Sequence, residues 1–110
     1  PNFLYTLDIG HANVSGEDYI SALKKFGGKI IHIHAHDNAG PAEENLAKFN
    51  RPDPHLIPGK GQIDWRKVIQ TLKDINYQGY FELECEVKDI KGGMEFINRQ
   101  KNTKGRIFTN

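Results

Sequence analysis

The chain has 110 residues, and 15 Lys and Arg against 14 Asp and Glu leave a net charge of +1, too small for the broad cationic footprint of a dedicated nucleic-acid binder. Its 37% hydrophobic and 26% charged residues match an ordinary globular chain, not a disordered one. A single cysteine, Cys85, excludes an intrachain disulfide framework and a multi-Cys zinc ribbon and suits the reducing cytoplasm, while no apolar run reaches the roughly 18 residues of a membrane span and the N-terminus lacks signal-peptide order.

Residues Phe3 to Asp8 are apolar and rich in β-formers, and they stop at Asp8 and Gly10, which predicts a strand ending at a polar loop. Ser15 with Asp18 three residues later resembles a capping box. Tyr19, Ile20, Leu23 and Phe26 then share one helical face, and Gly27 and Gly28 end it. The run KIIHIH, Lys29 to His34, alternates, with Ile31 and Ile33 on one side and Ile30, His32 and His34 on the other. From Asp37 to Gly61 the chain is polar and carries Pro41, Pro52, Pro54 and Pro58, which predicts a long functional loop with a short helix over Ala42 to Phe49.

Asp64 can cap a helix whose apolar positions, Trp65, Val68, Ile69, Leu72 and Ile75, recur at offsets of three and four. Tyr80 to Val87 alternates again, with Phe81, Leu83, Cys85 and Val87 opposite Glu82, Glu84 and Glu86. A further helix is expected from Asp89 to Arg99, and the tail KNTKGRIFTN shows no pattern. The order β-α-β-loop-α-β-α implies an α/β fold of parallel strands joined by right-handed crossovers. Three such strands leave both edges open and both faces needing cover, so association or a partner segment is expected.

All five histidines lie in the first half, at strand ends or in the long loop, where parallel α/β folds place their sites. Asp8 and His11, spaced D-x-x-H, can offer a carboxylate oxygen and an imidazole nitrogen to a divalent metal; His11 can equally bond local backbone. His34 ends its strand on the same face as His32, which reads as a buried, hydrogen-bonded core histidine. Asp53 and His55 form D-x-H, either a short chelate or an Asx-turn beside prolines. Glu84 sits among apolar neighbours and needs a partner or a metal to offset its desolvation. Glu82 reads as a supporting residue and Glu86 as a rim residue. Gly59-Lys60-Gly61 reads as a tight turn, since no full Walker pattern surrounds it. Cys85, opposite in parity to Glu84, is expected to pack against helices. Together Asp8, His11, His34, Asp53, His55 and Glu84 form a mixed carboxylate and imidazole set suited to Mn, Zn, Fe or Co, with Mg where oxygens dominate.

The ordered strings LDIGH, IIHIHAHDNAG, DPHLIPGKGQIDW and GYFELE, from about Leu4 to Glu84, resemble the C-terminal part of the xylose isomerase-like TIM barrel superfamily. That group holds sugar and sugar-phosphate isomerases and epimerases, hydroxypyruvate isomerase-like proteins and the endonuclease IV family. The resemblance implies about three βα units of a (β/α)8 TIM barrel, with residues 1–100 as the partial barrel and 101–110 as a tail. It implies Asp8, His34 and Glu84 as ligands of a divalent metal (Mn, Zn, Co or Mg), Glu84 also as a catalytic acid/base, and His11, Asp53 and His55 as substrate-binding residues. Gly59 to Gly61 would approach a distal hydroxyl or phosphate.

The implied activity is metal-dependent isomerisation or epimerisation of a sugar or sugar phosphate through an enediolate. The family's glutamate ligand from a strand before Asp8 has no counterpart in this sequence, so a missing barrel segment or second chain is expected to complete the site. The family's D-x-H pair also occurs in endonuclease IV, where it holds an extra zinc, so the alternative is a zinc phosphodiesterase for abasic DNA; a non-catalytic fragment is the third reading. Position 40 is Gly, where ketohexose 3-epimerases carry a nearby arginine.

Overall fold

The computed structural model describes residues 3–101. Three strands, β1 (Tyr5–Asp8), β2 (Ile30–Ala35) and β3 (Tyr80–Leu83), form a parallel sheet in the order β1-β2-β3. The register sets Asp8 beside His34 and His34 beside Glu82, while Leu7, Ile33 and Phe81 line up on the opposite face. That second face is the packed one. Ile33 and Ala35 are fully buried, and Phe81 and Leu83 nearly so, beneath α2 (Tyr19–Phe26), α4 (Trp65–Asp74) and α5 (Ile90–Lys101).

Each helix delivers the stripe its sequence encodes. Helix α2 buries Ile20 and Leu23, α4 buries Trp65, Val68, Ile69 and Leu72, and α5 buries Ile97. A fully buried side chain of this size contributes about 1.5–3 kcal/mol by leaving water, so α4 is the main anchor of the helical layer. The helix ends are local events. Asp18 caps α2, accepting from the Ile20 and Ser21 amides at 3.1 Å each, and Asp64 caps α4 by accepting from the Lys67 amide at 3.1 Å. Gly27, Asn50 and Asn76 take positive φ where α2, α3 (Ala42–Phe49) and α4 stop. After α4, the Tyr77 phenol donates to the Tyr80 carbonyl, and burial pushes its pKa up to about 12.

Five expectations change. The cap of α2 is Asp18 alone, so the Ser15 to Asp18 box is not formed; Ser15 instead ends a short helix, α1 (Ile9–Val14), that strand periodicity could not reveal. The first strand begins at Tyr5, and the second runs from Ile30 to Ala35. The third strand stops at Leu83, so the alternation read through Val87 breaks, and Val87 is 89% exposed in a 3-10 turn over Val87–Asp89. The last helix begins at Ile90 and reaches Lys101, whereas the tail after Lys101 lies outside the described residues.

Candidate metal centre

The C-terminal ends of the three strands bring together the acidic and imidazole groups. Asp8 ends β1 and is also the N-cap of α1, where its Oδ1 accepts the His11 amide at 2.9 Å. His34 projects from β2 with Nδ1 3.1 Å from Glu84 Oε1, one residue past β3. One donor atom each from Asp8, His34 and Glu84 lies within 4.8 Å of the others. Two carboxylates and one imidazole at that separation can close on a single divalent ion, with its remaining positions open to oxygen ligands. All three side chains are partly exposed, so the group is reachable from solvent.

A second cluster adjoins the first. His36, just beyond β2, is fully buried, and its Nε2 lies 3.0 Å from Asp53 Oδ1 and 3.2 Å from Oδ2. Its Nδ1 has no hydrogen-bond partner among the described residues and sits 3.6 Å from Asp8 Oδ1, too far for a hydrogen bond. His55 stacks on His36 with ring centroids 3.7 Å apart and planes 8° from parallel, and its Nδ1 donates to the Glu84 carbonyl at 3.1 Å. His55 holds this pose with φ at +49°, an unusual conformation for a residue with a side chain. Donor atoms of His36, His55 and Glu84 also fall within 4.8 Å of one another, so Glu84 belongs to both groups. Gly10 makes room for His36, because a Cβ there would stand 2.1 Å from its Nε2.

Asp37 explains the shape of the long loop. It is fully buried and accepts from the amides of Asn38, Gly59, Gly61 and Ile63 and from the Trp65 indole, all between 2.8 and 3.0 Å. Its backbone also pairs with Leu56, with N–H···O distances of 2.7 and 2.9 Å. The Gly59 and Gly61 amides therefore meet an internal carboxylate, and the Lys60 amide donates to the Ile57 carbonyl at 3.0 Å. That corrects the expectation of a distal hydroxyl or phosphate at this turn. The buried side chain of Asn38 donates to the Gly10 carbonyl at 2.9 Å and to Asp53 at 3.3 Å, fastening the loop to the strand ends.

Of the residues expected at the site, Asp8, His34 and Glu84 converge, and Asp53 and His55 converge around His36. His11 is exposed on α1, with Nε2 3.5 Å from Ser15 Oγ, and belongs to none of the donor groups among the described residues. His32 is not a buried core histidine: its side chain is 33% exposed on the open face, with Nε2 2.8 Å from Glu82 Oε1. Glu86 is exposed and lies 3.5 Å from Lys88. Cys85 packs against the core as expected, and burial, then the nearby Asp89 and Glu86, push its thiol pKa up. His36, Asp37 and Asn38 were missed as organisers. Alternation ends at Ala35, so parity gave no direction for them; the polar run H-D-N directly after a strand was the one available signal.

Sequence comparison matches residues 1–102 to the model of the xylose isomerase-like TIM barrel. The chain belongs to that family. It is 34% identical over 96% of its length to the uncharacterized protein MJ1311 of Methanocaldococcus jannaschii, covering 36% of that protein. It is 33% identical over 77% of its length to an inosose dehydratase of Clostridium perfringens, covering 31% of it. A D-psicose 3-epimerase of Enterocloster bolteae is 35% identical over 79% of the chain, which covers 23% of that enzyme. Among solved structures, a D-tagatose 3-epimerase-like protein superposes with a TM-score of 0.64 at 31% identity, over 88% of this chain and 36% of that one. The chain thus spans about a quarter to a third of the length of these relatives. Its three parallel strands and their helices are part of the family's barrel, and the relatives include sugar epimerases. Among the described residues no helix is long and apolar enough to cross a membrane.

Proposed function

We propose that this chain carries one part of the active site of a metal-dependent isomerase or epimerase of a sugar or sugar phosphate. The observation that supports it is the convergence of Asp8, His34 and Glu84 at the C-terminal edge of three neighbouring parallel strands. These are the residues that would hold the ion, and their mixed oxygen and nitrogen donors suit Mn, Zn, Co or Mg. A divalent ion bound there would lower the cost of the enediolate formed when a proton leaves carbon beside the substrate carbonyl.

The chain's own residues would do the rest. Glu84 can move the proton as well as ligate, since one carboxylate oxygen faces His34 and the other is free to turn toward substrate. Its opposite number, acting on the other face of the substrate, would come from barrel segments outside these strands or from a second chain; β1 and β3 are both edge strands among the described residues. His11, exposed on α1, would orient a hydroxyl. Asp53 and His55, with His36 between them, form the adjoining wall and can bind hydroxyls of the same substrate. The near-neutral charge weighs against nucleic acid, and the lone thiol suits the cytoplasm.

Calorimetric titration of the full-length protein with Mn, followed by an assay on a panel of ketoses and their phosphates, tests this reading. Glu84→Gln should lower Mn affinity by about 100-fold or more, because it removes the ligand's negative charge and leaves only a weaker amide oxygen, and should abolish turnover. Unchanged Mn binding in Glu84→Gln would remove the site from consideration. The donor group of His36, His55 and Glu84 favours a second reading, a zinc phosphodiesterase; cleavage of an abasic-site duplex without any sugar turnover would select it.

A further inference from the structure

The sequence repeats its metal-ligating residues two positions apart on neighbouring strands, as H-x-H at His32 and His34 and as E-x-E at Glu82 and Glu84. Residues two apart on a strand point to the same face, about 6.6 Å along it. The site proposed above uses the outer pair, His34 and Glu84, with Asp8. The inner pair, His32 and Glu82, has no role in it.

The inner pair has its own geometry. His34 and Glu82 are register partners across β2 and β3, and His32 precedes His34 on the same face. The Nε2 atoms of His32 and His34 approach the same Glu82 oxygen, Oε1, at 2.8 and 3.7 Å. The first distance is a hydrogen bond. The second is too long for one, yet it is close to the spacing of about 3.4 Å between neighbouring ligands of a tetrahedral ion with bonds of about 2.1 Å. Donor atoms of His32, His34 and Glu82 all lie within 4.8 Å of one another. The Glu82 side chain is 55% exposed and that of His32 33%, so the group stands open on the inner face of the sheet.

The geometry points to a second divalent-cation site, formed by His32, His34 and Glu82, that excludes occupancy of the first. His34 turns Nδ1 toward Glu84 at 3.1 Å and Nε2 toward Glu82 at 3.7 Å. A neutral imidazole has one lone pair, so it can ligate at one nitrogen only while the other carries the proton. An ion in the inner site takes His34 away from the outer one. The two sites also differ in preference. Two imidazoles and one carboxylate favour Zn, Ni, Cu or Fe over Mn or Mg, whereas two carboxylates and one imidazole accept Mn and Mg as well as Zn. Zinc in the inner site would therefore displace manganese from the outer one. The proposal goes beyond the isomerase reading and shares only His34 with it.

The test uses the full-length protein loaded with Mn, titrated with Zn, with released Mn read as the electron paramagnetic resonance signal of the aqueous ion. His32→Gln, at a half-buried position, and Glu82→Gln, at an exposed one, should each raise the Zn concentration for half-release at least ten-fold. Mn affinity in the absence of Zn should stay within two-fold of the parent in His32→Gln, whereas Glu82→Gln, which removes the carboxylate beside Nε2 of His34, should weaken Mn less than Zn. Release curves that superimpose on the parent in both variants, or variants that weaken Mn as much as Zn, would overturn the inner site. If the parent retains no Mn, the isomerase reading loses its metal. The inner site is then judged by direct Zn binding, and an affinity unchanged in His32→Gln overturns it.

Discussion

Asp37 and Glu84 stand at the C-terminal ends of adjacent strands, and their environments are opposite. Five N–H groups point at Asp37, which is fully buried and has no lone pair left for anything else. Glu84 remains partly exposed, with His34 beside one oxygen and its backbone carbonyl occupied by His55. The first carboxylate spends its charge on organising the chain's own amides. The second keeps its charge available, so the loop that the first one folds can present a wall beside it.

The largest test of that contrast is Asp37→Ala. It would leave four amides and an indole N–H without their acceptor, three of them (the Asn38 and Ile63 amides and the Trp65 indole) in buried bonds, at about 1–3 kcal/mol for each group that water cannot reach. A loss of at least ~4 kcal/mol in urea unfolding is expected. Glu84→Gln, by comparison, should shift stability by no more than about 0.5 kcal/mol while metal affinity collapses. Equal stability losses in the two variants would show that the carboxylates do the same job.

A smaller effect is expected at Gly10→Ala. The added Cβ would meet the His36 ring at 2.1–2.5 Å, and His36 is held against Asp53 and His55, so it cannot simply swing away. Overpacking of this kind costs about 1–3 kcal/mol. The same change should loosen the Asp53 and His55 wall without touching Asp8, His34 or Glu84 directly. Crystallographic or NMR observation of an unmoved His36 ring in Gly10→Ala would contradict this account.

How much of this was readable beforehand follows from the kind of signal each residue leaves. Periodicity marked the apolar faces of α2 and α4 and the inward turn of Ile33, because water selects those positions every two or every three to four residues. It also put His34 and Glu84 on one face, and the family resemblance joined Asp8 to them. Periodicity fails where the strand stops: the Val87 reading carries the alternation past a β3 that ends at Leu83, and α1 is too short to show a period. His32 was misjudged as buried because hydropathy cannot tell a covered sheet face from an open one. Beyond the polar run H-D-N, nothing in the sequence marks Asp37 as an organiser, since its donors come from residues up to 28 positions away.

The smallest expected effect concerns Asp18, a third carboxylate that accepts backbone amides, this time at the surface. The Ser21 amide, then the Ser21 hydroxyl and, more weakly, the Ile20 amide hold its carboxyl below the ordinary 3.8. A folded-state pKa below the unfolded one gives stability that is present above pH 3.8 and lost as pH falls through the folded value. Asp18→Asn keeps an acceptor at the helix cap but cannot titrate. Between pH 5 and pH 2 the parent should therefore lose stability more steeply than Asp18→Asn, with the curves converging at the acid end once the aspartate is protonated. Urea midpoints that fall in parallel for the parent and Asp18→Asn would mean that the cap's charge contributes nothing, and that only its hydrogen-bond geometry holds α2 in place.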